Sequence, residues 1–371
     1  MAIWKKVKVG EIGKVITGKT PKTSNSEYYG GKIPFLTPSD NMSVKYVKET
    51  NKYLTELGRL SVRNATLPSN AVCVSCIGSD LGKVVVTTQE TVTNQQINSI
   101  IVDESKYNVD FIYYSMLELG KILNFHSKTS TAVPIVNKSS FSEYEILCPE
   151  LKIQKKIGDV LSSIDKKIEQ NEKINNNLYE QAVALFNNDF PDIFSGNKAV
   201  GDYIVPKRGK SLLSKDAVLG KVPVVAGGLE PSTYHNVSNT TAPVITISAS
   251  GANAGYVNLW HTPVWSSDSS FIDTKMTPYV YFWYILLKKR QKEIYDSQTG
   301  SAQPHIYPQH IASIEIQELN LEKVNTFESQ VKAIFELIGH NIVENSSLIE
   351  ARNTLLPKLM SGELDVSEID I

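Results

Sequence analysis

Thr129-Ser130-Thr131-Ala132-Val133-Pro134-Ile135-Val136 returns later in the chain as Thr299-Gly300-Ser301-Ala302-Gln303-Pro304-His305-Ile306, and this pair of stretches decides how the fold is read. The offset is 170 residues, and the same offset carries Tyr144-Glu145-Ile146 onto Ile314-Glu315-Ile316. An internal repeat sets domain count and symmetry together. Upstream the pairing persists, with shifts that mark loop insertions. Ser75-Cys76-Ile77-Gly78 pairs with Ser248-Ala249-Ser250-Gly251, and Gly82-Lys83-Val84 with Gly255-Tyr256-Val257. Further back, Gly18-Lys19-Thr20 pairs with Gly209-Lys210-Ser211, and Val9-Gly10-Glu11 with Val200-Gly201-Asp202. Two homologous units are expected.

Each unit opens with short β-branched runs broken by Gly, Pro, Asn and Ser, then passes into a long stretch of helical period without such breaks. In the first, Ile157, Leu161, Ile164, Ile168, Asn171, Asn175, Leu178, Ala182 and Leu185 follow the alternating steps of a coiled-coil seam. In the second, Val331, Phe335, Ile338, Ile342, Asn345, Ile349, Leu356 and Leu359 do the same, with Arg352 interrupting the seam and Pro357 expected to limit the helix. A helix of about 30 residues spans roughly 45 Å, more than most domains need. Polar Asn171 and Asn345 at matching seam positions point to helices that pack on each other, since buried polar seam residues set register. The expected fold class is α+β: two mixed α/β domains, each followed by a long helix, the helices forming an antiparallel coiled coil with pseudo-twofold symmetry. The expected boundaries are 1–150 and 191–319 for the domains, with helices over 151–190 and, including a C-terminal tail, 320–371.

A chain of 371 residues, 41% hydrophobic and 21% charged, has room for two or three cores and is neither disordered nor collagenous. No apolar run reaches the roughly 18 residues of a spanning helix; Tyr279 to Leu287 comes nearest. With no leader pattern at Met1 to Lys6 and only Cys73, Cys76 and Cys148, a cytoplasmic location without membrane contact is expected. The net charge of -1 means that any nucleic-acid binding must use locally concentrated basic residues or help from partners.

Motifs of catalysis fail on context. Gly13-Lys14-Val15-Ile16-Thr17-Gly18-Lys19-Thr20 matches a P-loop letter for letter, yet Pro21 and a run of Thr, Ser and Asn follow where a helix must begin, and Ile204 replaces Gly13 in the second unit. Nucleotide hydrolysis is kept only as an alternative, beside a protein-binding scaffold. Cys73-Val74-Ser75-Cys76 lacks the further ligands of a zinc site and alternates like a strand, so no metal is expected. The six histidines form no triad or HExxH pattern, and Gly78-Ser79-Asp80-Leu81-Gly82 places its serine one position early for a nucleophile elbow. No catalytic residue is assigned.

What recurs in both units is polar turns, whose Asn, Gln, Lys and Arg can bond base edges and whose Ser and Thr can hold phosphates. In the first unit the candidates for DNA contact are Lys19, Thr20, Lys22, Ser39, Asp40, Asn41, Ser79, Asn94, Gln95, Gln96, Lys128, Thr129 and Thr131. In the second they are Lys207, Arg208, Lys210, Ser211, Ser250, Asn253, Ser267, Ser269, Gln298, Thr299, Ser301 and Gln303. Any one such turn is ordinary; their duplication is what carries weight.

Over nearly its whole length the chain resembles the specificity subunit of type I restriction-modification systems. The resemblance lies in Thr129 to Pro134 leading through Asn137-Lys138-Ser139 to Tyr144-Glu145-Ile146, in Gln154-Lys155-Lys156-Ile157 and Asp165-Lys166-Lys167-Ile168-Glu169 of the first helix, and in Leu355-Leu356-Pro357-Lys358-Leu359-Met360-Ser361-Gly362-Glu363-Leu364. Two departures are Gln181 to Phe186 in place of the Leu-Leu-Pro form, and Leu319 to Phe327, which lacks the Gln-Lys-Lys-Ile pattern. The resemblance implies two target recognition domains, each reading one half of a bipartite site in double-stranded DNA, with the helices as a ruler. It also implies docking of two methyltransferase (modification) subunits and of restriction motor-nuclease subunits. No cofactor is then expected on this chain: S-adenosylmethionine, ATP and Mg belong to the partners, and the chain itself is non-catalytic.

Overall fold

The computed structural model describes residues 3–78, 81–129, 135–300 and 303–367, less the side chains of residues 126, 127, 129 and 214. Ser79, Thr131 and Ser301 lie outside the described residues, as does the side chain of Thr129. The chain divides into two compact units, residues 1–169 with 346–371, and residues 170–345.

In the first unit, β1 (Lys5–Lys8), α1 (Val9–Ile12), β2 (Gly13–Thr17), β3 (Tyr29–Leu36), β4 (Tyr46–Val47) and β5 (Tyr53–Leu54) precede α2 (Glu56–Ser61) and β6 (Thr66–Leu67). Then come β7 (Ala71–Ser75), β8 (Val84–Thr87), β9 (Thr91–Thr93), β10 (Ile97–Val102), α3 (Val109–Thr129), α4 (Lys138–Glu143), β11 (Glu145–Cys148) and the long helix α5 (Leu151–Asp189). The central sheet runs β2-β10-β7-β8-β4, with a second sheet ordered β5-β3-β9-β6 and β1 paired antiparallel with β11. Strand alternation sorts the core into two faces. Val72, Val74 and Cys76 join Ile100 and the α3 residues Phe111, Ile112 and Leu119, while Cys73, Val85 and Ile97 face Leu36 and Leu67 on the other side. Cys73 and Cys76 thus belong to opposite faces as free, buried thiols, and burial pushes them up to about 12 and about 11.

The second unit continues with β12 (Lys198–Ala199), β13 (Lys207–Arg208), β14 (Val222–Val225), β15 (Thr233–His235), β16 (Val244–Ser248), β17 (Val257–Trp260), β18 (Trp265–Ser266) and β19 (Ser269–Asp273). It closes with α6 (Val280–Lys289), α7 (Gln291–Asp296), α8 (Pro308–Ala312), β20 (Glu315–Ile316) and α9 (Leu321–Ser361). Its main sheet, β13-β19-β16-β17, repeats the order β2-β10-β7-β8 of the first unit, and β12-β20 repeats β1-β11. The turn after β7 uses Gly78 and Gly82 at φ 90° and 91°, and the turn after β16 uses Gly251 and Gly255 at 82° and 90°, a backbone that side chains with a Cβ disfavour. The smaller sheet β15-β14-β18 differs from β5-β3-β9-β6, so the insertions inferred from the shifting offset are where the two units diverge.

Within each unit the early half of one long helix meets the late half of the other, which is antiparallel packing. Ile157 and Leu161 share a core with Leu356, Leu359 and Met360 in the first unit. In the second, Ala182 and Phe186 pack with Val324, Phe327, Val331 and Phe335, and the Phe186, Phe190, Phe282 and Phe327 rings lie within 5.1–6.3 Å of one another. Ile164, Ile168 and Leu178 are half-buried, Ile338 is buried, and Asn171 is 1% exposed. Three expectations are corrected. Ile342 is 46% exposed, and Asn341, one position earlier, takes the buried place at 6%. Pro357 does not end α9, which runs on to Ser361: the one lost N–H bond lies near the helix end, where Leu356, Leu359 and Met360 are anchored in the core. Arg352, read as a break in the seam, reaches Asp165 at 2.6 Å and so belongs to the interface.

Candidate nucleic-acid interface

Antiparallel neighbours bring alternate strand ends to one edge, so the central sheet alone assembles the recurring turns. In the first unit β2 leaves that edge at Gly18 while β10 enters it at Ile97, and Gly18 N donates to Ile97 O while Lys19 N donates to Thr93 O. In the second unit Gly209 N donates to Ser269 O and Lys210 N to Ser266 O. The loops lie so close that a Cβ on Gly18 would sit 2.0 Å from Asn94 O, and one on Gly209 2.5 Å from Ser266 O. This close approach is why glycine precedes Lys19 and Lys210. It also disposes of the P-loop match: Gly13–Thr17 is itself strand β2, and the next helical residues, Ser26–Tyr28, form a single 3₁₀ turn.

Around the loop pair of the first unit, Thr20 Oγ1 donates to Gln95 Oε1 at 2.6 Å, and Cys76 N donates to Gln96 O. Val136 N in turn donates to Cys76 O, which places Val136 at the same edge. Lys19, Lys22, Gln95 and Lys128 are exposed there. Asn94 is buried and bonded to Gln96 through both its Nδ2 and its Oδ1. Asp40, 6% exposed, accepts from Thr37 N, Thr37 Oγ1 and Asn51 N, so it holds the turn that presents exposed Ser39 and Asn41. That turn is close to Asn94, whose N–H donates to Leu36 O.

In the second unit Asp268 organises the edge. It pairs with Arg208 at 2.6 Å, accepts from Ser250 Oγ, and its carbonyl takes the Ala249 N–H. Ser267 and Ser269 are buried, the first accepting from Leu212 N and the second bonded to Ser266 and Val225 O. Gln298 donates to Ala254 O, and Thr299 exchanges backbone bonds with His305, which brings Gln303 and the α7–α8 connection to the edge. Lys207, Lys210, Ser211, Thr299 and Gln303 are exposed, while Ser250 and Asn253 are half-buried. Asp268 and His305 are organisers that composition did not single out; the first was signalled only by lying inside the serine-rich 266–269 turn.

A matching pair anchors the helix that leads to each edge. Gln154 of α5 is 2% exposed and accepts from Asn108 N at the start of α3. Glu328 of α9 accepts from Tyr281 N and Phe282 N at the start of α6. From 154 to 328 is 174 residues, the offset that also separates Asn171 from Asn345. The second-unit counterpart of Gln154-Lys155-Lys156-Ile157 is therefore Glu328-Ser329-Gln330-Val331, which begins just past the Leu319 to Phe327 run where the pattern is absent. Burial raises the Glu328 carboxyl to about 7 against its two N–H donors.

Among the described residues no group of His, Cys, Asp and Glu is placed to hold a metal, and no helix is long and apolar enough to cross a membrane. A family profile described as "Type I restriction modification DNA specificity domain" matches residues 1–180. The HindI type I restriction enzyme specificity subunit of Haemophilus influenzae is 34% identical over 42% of this chain, a match spanning only 35% of that protein. The MjaIX specificity subunit of Methanocaldococcus jannaschii is 27% identical over 99% of this chain and 94% of its own length. A crystal structure of a type I system S subunit from M. genitalium superposes with a TM-score of 0.64 at 18% identity, covering 97% of this chain and 96% of that one, which establishes the shared fold.

Proposed function

We propose that the chain is a member of the type I restriction-modification specificity-subunit family that its relatives represent, and the non-catalytic DNA-recognition subunit of such a complex, each unit reading one half of a bipartite duplex site. The observation that carries this is the loop-on-loop edge built twice with the same backbone bonds, Gly18 and Lys19 in one unit and Gly209 and Lys210 in the other. The edges differ in side chains while sharing a frame, as two readers of different half-sites require. Exposed Lys19, Lys22, Lys207 and Lys210 contact phosphates; Gln95, Gln96, Gln298 and Gln303 face base edges in the major groove.

The long helices, of 39 and 41 residues, serve as the ruler for the gap between half-sites. They also dock two modification subunits, which carry S-adenosylmethionine chemistry, and motor-nuclease subunits that use ATP and Mg. Those partners supply the basic surface that a chain of net charge -1 lacks. The test is methylation sequencing of DNA treated with the assembled complex. Replacing Gln95 and Gln96 together should relax one half of the methylated motif and leave the other intact. Lengthening α5 by one turn should change the tolerated gap and neither half. Relaxation of both halves at once, or an unchanged gap, overturns the assignment.

A further inference from the structure

We infer that the loop from Gly209 to Lys221 extends the reading edge of the second unit, and that Leu219 on it is an apolar base contact against the C5 methyl of a thymine. This rests on the DNA-recognition reading above. Leu219 is 92% exposed, the most exposed large apolar side chain among the described residues, and Leu213 and Val218 on the same loop are 56% and 54% exposed. Exposed Lys210, Lys215 and Lys221 share the loop with them, against one acid, Asp216. An apolar tip in a basic loop suits a polyanion with methyl groups on its grooved face, where thymine is distinguished by that methyl.

The loop is held at both ends. Gly209 is bonded to β19 as described, and at Gly220 a Cβ would lie 2.2 Å from His235 O. Between them, Val218 N donates to Nδ1 of buried His235 at 3.0 Å, and the His235 ring stands edge-on to Trp265 at 5.2 Å. Trp265 Nε1 then donates to Lys210 O at 2.8 Å. Leu219 is thereby tied through two buried or half-buried rings to the loop that carries the phosphate-contacting lysine. The corresponding stretch of the first unit, Lys19 to Ser26, is polar apart from buried Pro21, so an apolar reader distinguishes the second half-site from the first.

The experiment uses the assembled complex and duplexes bearing its methylated motif, with each thymine of both half-sites replaced singly by uracil. Wild type should lose affinity about 4-fold at one position, the worth of one buried methyl. Leu219→Ala should bind the thymine duplex about as weakly and be indifferent to uracil at that position. A motif without thymine, wild type indifferent to every uracil, or Leu219→Ala retaining full sensitivity overturns the inference. So does failure of Leu219→Ala to assemble with the modification subunits, which would make Leu219 a protein contact. If wild type shows no sequence preference at all, it is the DNA-recognition reading that fails.

Discussion

Glu328 shows how a single residue can couple a domain to its helix at a cost that depends on pH. Its folded value of about 7 lies above the ordinary 4.5, so the protonated form is favoured on folding. Its contribution to stability is complete below about pH 4.5 and is lost as pH rises through 7, an effect on the order of 2 kcal/mol. Glu328→Gln should remove that decline, seen as a flatter melting temperature between pH 5 and pH 8; parallel profiles for variant and wild type would refute it. Gly18→Ala makes a complementary case. Its new methyl meets a carbonyl of the neighbouring loop, and we expect a loss of about 1–3 kcal/mol in denaturant unfolding.

At the scale of elements, the helix pair alternates apolar and polar seams. Asn171 Nδ2 donates to Asn345 Oδ1 at 2.8 Å and to Glu344 at 2.7 Å, and Asn341 Nδ2 donates to Asn175 Oδ1 at 2.8 Å. Asn171 Oδ1 is buried with no hydrogen-bond partner among the described residues. Such a block lowers stability and sets register. Asn171→Leu with Asn345→Leu should therefore raise the melting temperature while broadening the range of half-site gaps accepted. A lower melting temperature would sink this account. In the first unit the helices are clamped to the domain by charged groups instead: Arg352 pairs with Asp165, which accepts from Tyr114 at 2.5 Å, and Lys45, paired with Asp110 at 2.8 Å, donates to Ser162 Oγ of α5 at 2.7 Å. Arg352→Ala should cost about 2 kcal/mol, partly recovered by adding Asp165→Asn, as read from denaturation midpoints.

For the whole molecule, duplication predicts partition. Lys19→Ala and Lys210→Ala should each weaken DNA binding of the assembled complex evenly across sequences and reduce the salt slope by about 1, because a phosphate contact carries no base information. A change of motif in either variant would contradict the phosphate role. With a net charge of -1, the isolated chain should bind its site far more weakly than the complex does; equal affinities would show that partners contribute no basic surface.

Repetition was legible from sequence alone because it is a relation between residues along one chain: the repeat, with its shifting offset, pairs Gly78 with Gly251, Asn171 with Asn345 and Gly18 with Gly209 wherever they end up in space. Periodicity likewise announced α5 and α9, since a 3.5-residue pattern sustained over many turns has few other readings. What needed the fold was the meaning of single positions. Side-chain burial at Asp40, Asn94 and Ser269, the shift of the seam from Ile342 to Asn341, and the equivalence of Glu328 with Gln154 all depend on which backbone lies opposite. That neighbour comes from strand order and helix pairing, long-range contacts that no local pattern encodes.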